Sequence, residues 1–178
     1  MSEIIIVIAV LLAAAIAAVL ILASRKPDTF SVSRAASIHA PPEKIFALIG
    51  DFHQWRAWSP YEDRDPNLQR SYSGAASGKG AVYAWQGNRQ VGSGRMEILD
   101  APAPRKVVIK LDFLKPFEAH NTAEFTLVPQ GDTTNVTWLM HGPAPLMSKV
   151  MQVFMDMDNM IGKDFATGLA NLKRITEK

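Results

Sequence analysis

The segment "HAPPEKIFALIGDFHQWRAWSP", residues 39–60, reads as two short helices in succession. Pro41 and Pro42 suit a first helical turn, where a missing N–H costs little, and Glu43 suits the positive end of the helix dipole. Ile45, Phe46, Leu48 and Ile49 supply a face to bury, and Gly50 is a natural stop. Asp51 can cap a second helix running through about Trp58, which Pro60 ends. Phe52, Trp55 and Trp58 are three apart and share a face of it. Such an aromatic cluster is either a plug for the end of a core or a gate at the mouth of a cavity. The remainder of the chain has to supply what it closes.

On either side the pattern is β. "FSVSRAASIHA", residues 30–40, reads as a strand. Six more follow within residues 67–142, separated by Gly, Pro, Asn and Asp signals. Ile109, Leu111 and Phe113 alternate with Lys110 and Asp112; Phe125 and Leu127 with Glu124 and Thr126; Val136, Trp138 and Met140 with Thr137 and His141. One apolar face on successive strands with short connections implies an antiparallel sheet covered on one side. The cover is a long helix expected from Pro145 to Lys178, with Leu146, Val150, Phe154, Met157, Ile161, Phe165 and Leu169 recurring at three or four residues. Met147, Met151, Met155 and Met160 widen that stripe, and Gly162 and Gly168 mark a bend or a close approach within it. The order strand, two short helices, six strands, long helix gives an α+β helix-grip fold, a curved antiparallel sheet wrapped around the C-terminal helix.

Residues 4–23, "IIIVIAVLLAAAIAAVLILA", contain no charge and no proline. Twenty helical residues span about 30 Å, the thickness of a bilayer's hydrocarbon core. The absence of a basic residue before the run and its length favour an uncleaved transmembrane anchor, residues 1–24, over a cleaved signal. A linker, 25–29, joins it to a domain spanning 30–178. Arg25 and Lys26 follow the apolar run and place the domain on the cytoplasmic side of a single-pass membrane protein. All 19 basic residues lie beyond it, as do all 17 acidic ones except Glu3, so the domain is only weakly basic and no basic cluster points to nucleic acid. The absence of cysteine excludes disulfides and cysteine-based metal or redox sites.

Residues 39–60, "YSGAASGKGAVYAWQGNRQVGSGRMEI" (72–98) and "FATGLANLKRI" (165–175) together resemble the SRPBCC superfamily, which includes START-like lipid-binding domains and polyketide cyclase/dehydratase-like proteins. The resemblance covers about residues 30–177. It implies a helix-grip fold with a cavity between sheet and helix, and it leaves the activity open, since one fold hosts many functions.

The chemistry-bearing residues are sparse. His39, His53, His120 and His141 are scattered, so neither a metal site nor a cofactor is expected. "GAASGKG", residues 74–80, is one residue short of a phosphate loop and sits between strands, so it reads as a hairpin turn. Arg95, Glu97, His120, Asn121, Glu124 and His141 alternate with apolar residues and are expected mostly to face solvent. The aromatic and methionine supply is richer. It either fills a core or lines a pocket for an apolar ligand, and the resemblance favours the pocket. The expected lining is Trp55, Trp58, Tyr83, Trp85, Phe113 and Phe125, together with Trp138, Met140, Phe154, Met157 and Ile161. The first functional reading is a membrane-anchored module binding a hydrophobic small molecule or lipid. The alternatives are a polyketide cyclase/dehydratase-like enzyme, leaning on His120, Glu124 or His141, and a ligand-free membrane-tethered interaction protein.

Overall fold

The structure, a computed structural model, describes residues 2–178. Helix α1 (Ser2–Ser24) is long and apolar enough to cross a membrane, a test that a signal sequence also passes. Beyond it come strand β1 (Thr29–Ile38), helix α2 (Pro42–Ile49) and a 3-10 helix (Phe52–Ala57). Strands β2 (Gln69–Gly74), β3 (Ala81–Gln86), β4 (Ser93–Asp100), β5 (Lys106–Lys115), β6 (Ala119–Gln130) and β7 (Thr133–Pro143) follow, then helices α3 (Leu146–Phe154) and α4 (Met157–Thr176). The seven strands form one antiparallel sheet in the order β1-β7-β6-β5-β4-β3-β2, the helix-grip arrangement.

The two short helices form for the local reasons their residues supply. Asp51 accepts a hydrogen bond from the His53 N–H at 2.9 Å and so caps the 3-10 helix. The last carbonyls of α2 have no helical partner. The indole N–H of Trp55 donates to the Ile49 carbonyl at 2.9 Å and that of Trp58 to the Leu48 carbonyl at 3.1 Å. Two tryptophans thus satisfy one helix end while fixing the next helix against it.

Residues of one parity along each strand are buried beneath the helices. Ile98, Val107, Ile109, Phe125, Leu127 and Val136 meet Ile45 and Ile49 of α2 and Phe165, Leu169 and Leu172 of α4 in one core. Helix α4 approaches closely where it carries glycine. A Cβ on Gly168 would lie 2.8 Å from a Trp138 ring carbon and 3.2 Å from Pro60 Cδ. A Cβ on Gly162 would collide with the Arg34 guanidinium, which donates to the Asp158 carboxylate at 2.9 Å.

The single helix expected from Pro145 to Lys178 is two helices. Met155, at the end of α3, is extended (φ −130°, ψ 134°), and Asp156 caps α4 by accepting from the Asn159 N–H at 3.0 Å. The apolar repeat runs across the break without a change of period, which is why it reads as continuous. The two halves differ in burial: Phe165, Leu169 and Leu172 on α4 are buried, whereas α3 has no buried residue. Gly162 and Gly168 mark close approaches, and the bend lies upstream of both.

Alanine is ordinarily better than glycine in a helix interior by about 1 kcal/mol. Gly168→Ala is expected to reverse that preference and destabilise the chain by about 1–3 kcal/mol, because the methyl group must displace Trp138 or Pro60. Chemical denaturation of the purified protein checks the sign.

Candidate functional site

The concave face of the sheet is not filled along its whole length. Between it and helices α3 and α4 lies a cavity of about 450 Å³, within the range of small-molecule sites. Inward-facing strand positions make its floor: Met96 on β4, Leu111 and Phe113 on β5, Ala123 on β6 and Met140 on β7. Met151 of α3 and Met157 and Ile161 of α4 form the roof. Trp55, Trp138 and Phe165 wall it off from the core, with the Trp138 and Phe165 rings stacked at 4.1 Å between centroids and 8° between planes. Trp85 also lines it, and its ring rests over Gly94 on the neighbouring strand, where a Cβ would lie only 2.4 Å from the indole.

One corner is polar. The Tyr83 hydroxyl donates to Glu62 Oε1 at 2.7 Å, and Arg70 Nε donates to Glu62 Oε2 at 2.6 Å, so both carboxylate oxygens are occupied. Arg70 Nη2 also donates to the Glu62 carbonyl at 3.0 Å. Burial, and then the hydrogen bond to Glu62, push the Tyr83 phenol far above the ordinary tyrosine range. Tyr61, which also lines the cavity, is raised by burial and by the charge of Asp164, against the opposing effect of Arg64. Both phenols therefore stay protonated well above physiological pH. Asn121 Oδ1 and Trp138 Nε1, on residues that also line the cavity, are buried without a hydrogen-bond partner.

Of the residues expected to touch a ligand, Trp55, Tyr83, Trp85 and Phe113 line this cavity, as do Trp138, Met140, Met157 and Ile161. Trp58 and Phe125 do not. They pack edge to face at 5.9 Å within the core, behind the wall. Phe154 does not either, because the break after α3 takes it out of phase with α4 and leaves it 71% exposed. The tryptophan pair is thus a core plug, Trp58, and an end wall, Trp55, both bolted to α2 rather than standing at a mouth.

The polar candidates also divide. Asn121 is the exception in a group expected mostly to face solvent: it shares the inward parity of Ala123 and Phe125, and Gly142 makes room for its amide. His120, Glu124 and His141 lie on the opposite, convex face. There Glu124 accepts from Lys106 at 2.5 Å and lies 3.3 Å from His141 Nε2, and His120 Nδ1 lies 2.7 Å from Asp112. The hydrogen bond to Asp112 raises the His120 pKa, and that from Lys106 lowers the Glu124 pKa. Neither shift reflects a cavity. The Glu62–Arg70 pair carries no sequence signal, since its members come from a loop and an edge strand that no spacing links.

Removing one partner of a buried ion pair leaves the other charge uncompensated. Arg70→Ala is expected to cost about 3–5 kcal/mol, and Tyr83→Phe about 1–3 kcal/mol. Denaturation of the two variants ranks them; equal, small losses would mean that Glu62 is solvated.

Several solved structures share this architecture. The protein CV1439 from Chromobacterium violaceum aligns over 85% of this chain and 99% of its own with 13% identity and a TM-score of 0.58. Aha1 from Colwellia psychrerythraea, solved as a dimer, aligns over 83% and 96% with 16% identity and a TM-score of 0.55. The di-domain ARO/CYC protein BexL from the BE-7585A biosynthetic pathway aligns over 88% of this chain and 53% of its own, with 13% identity and a TM-score of 0.60. At these identities the likeness is one of fold. No curated protein matches the chain. The sequence pattern described as polyketide cyclase / dehydrase and lipid transport matches residues 29–177, from the first residue of β1 to just past the end of α4. The chain belongs to that family, and with it to the SRPBCC superfamily of ligand-binding domains.

Proposed function

We propose that the protein is a membrane-anchored binding module that holds a hydrophobic small molecule or lipid between its sheet and its C-terminal helices. The observation that carries this is the cavity of about 450 Å³ floored by Met96, Leu111, Phe113, Ala123 and Met140. Its size and apolar floor suit an apolar ligand, and its methionines can repack around irregular shapes. Residues 1–24 are the anchor, 25–29 the linker and 30–178 the domain. Arg25 and Lys26, just after the apolar run, support a cytoplasmic position for the domain by the positive-inside rule. Tethering raises the effective concentration of the module next to the bilayer.

The polar corner supports a second reading, an enzyme of the cyclase or dehydratase type. Glu62 is a poor general base there, because both its oxygens already accept hydrogen bonds from Tyr83 and Arg70. Tyr61, Arg64 and Asp164 are the other titratable groups that line the cavity beside Glu62 and Tyr83, and the Asp164 carboxylate is itself paired with Arg64.

Ala123 projects into the cavity from the middle of its floor. The full-length chain, purified in mild detergent, is expected to carry a co-purifying apolar species by native mass spectrometry. Ala123→Phe, which fills that space, is expected to lose the species while retaining its circular dichroism spectrum. An empty wild-type protein, or a variant that keeps its ligand, would contradict the reading.

A further inference from the structure

The antiparallel register sorts the ends of the strands to two edges of the sheet. Thr29, which opens β1, lies opposite Pro143, which closes β7. The β5–β6 tip falls beside them, since Thr122 near the start of β6 pairs with His141. The β3–β4 turn joins the same edge, since Gln86 pairs with Ser93 and Ser93 with Lys115. Pro143, Ala119, Gln90 and Val91 all line the cavity, so it reaches this edge, and α3 lies across it with Ser148, Met151 and Gln152 towards the interior. The opposite edge carries the β2–β3 turn around Ser77 and the α2 plug.

Helix α1 arrives at the same edge and contacts α3. Among its described residues only Val19 and Ala23, one turn apart in its last two turns, are not exposed. The linker fastens the pair: the Ala144 N–H donates to the Asp28 carbonyl at 2.7 Å, and Lys149 donates to the Asp28 carboxylate at 2.5 Å. A bilayer spanned by residues 4–23 has its hydrocarbon boundary at the last turn of α1, and this packing puts α3 at that depth. Large apolar side chains are exposed on the elements that meet there: Leu146 (57% exposed), Met147 (62%) and Phe154 (71%) on α3, and Phe117 (61%) at the β5–β6 tip. Arg25, Lys26, Arg89 and Lys115, exposed on or beside this edge, supply charge for anionic headgroups.

We propose that α3 and the β5–β6 tip are a second membrane contact. They dock on the bilayer that holds α1, so that the mouth of the cavity faces lipid rather than water. This rests on the reading of α1 as a membrane anchor. Amphipathic helices that lie in the interface bury an apolar face about 5–10 Å into the headgroup and acyl boundary, and Leu146, Met147, Val150 and Phe154 form such a face on α3. The route from bilayer to cavity would then avoid water altogether.

The natural absence of cysteine makes the test direct. Phe154→Cys, Phe117→Cys, Ser77→Cys and Leu11→Cys, each in the full-length chain, are labelled with bimane and reconstituted into phosphatidylcholine–phosphatidylglycerol vesicles containing doxyl-labelled lipid. Loss of fluorescence at positions 154, 117 and 11, with position 77 retained, is the expected result. Retention at 154 or 117 with loss at 11 would overturn the second contact while leaving the anchor standing. Retention at 11 would overturn the anchor and the proposal together. An empty cavity in the mass-spectrometric experiment would leave all four signals unchanged, so failure of the binding reading is distinguishable from failure of this one.

Discussion

The seat of α4 on the sheet depends on the way Trp138 is held. Its ring stacks on Phe165 at 4.1 Å and meets Trp58 edge to face at 5.6 Å. Gly168, one turn beyond Phe165, lets the helix backbone come down onto the same indole. Stacked and edge-to-face aromatic pairs contribute about 0.5–1.5 kcal/mol each beyond the area they bury. Here they also fix a position, because Trp58 is tied to α2 through the Leu48 carbonyl. The sheet, α4 and the two short helices therefore meet at one aromatic junction.

The cavity follows from what lies on the other side of that junction. Towards the C-terminus of α4, Leu169 and Leu172 reach the sheet and fill it. Towards its N-terminus the helix ends at Asp156, and α3, which has no buried residue, only spans the gap. A continuous helix would carry the stripe of α4 on into α3. The break leaves methionines over a space that the floor residues, Ala123 among them, are too small to fill. The polar corner at Glu62 is held by its own ion pair and does not depend on anything within the space.

Much of this fold is legible in the sequence because strand alternation and short-range capping are local signals. Asp51, Pro60 and the indole spacing mark the two short helices, and the parity of Ile109, Leu111 and Phe113 marks the buried face of β5. The same parity, followed strictly through Asn121, Ala123 and Phe125, turns Asn121 inward, against the outward position that its polarity suggests. The break at Met155 was hidden by unbroken apolar spacing, although Asp156, Asp158 and Asn159 are a capping cluster in plain view. Whether Trp58 and Phe125 would touch a ligand or lie behind the wall depends on which rings stack on which, a tertiary outcome that no periodicity contains. The pairing of Glu62 with Arg70 and Tyr83 is of the same kind.

The proposed function requires the interior between junction and rim to be open to an apolar ligand. The methionines are natural reporters of it, since Met96 and Met140 are buried on the floor and line the cavity. The direct measurement is methyl NMR of the full-length chain, labelled at methionine, with a doxyl-labelled fatty acid as probe. Selective broadening of the Met96 and Met140 methyl signals is the predicted result. Broadening confined to the exposed Met147 and Met155, with Met96 and Met140 sharp, would mean that the probe reaches the surface alone and that the interior is closed to it.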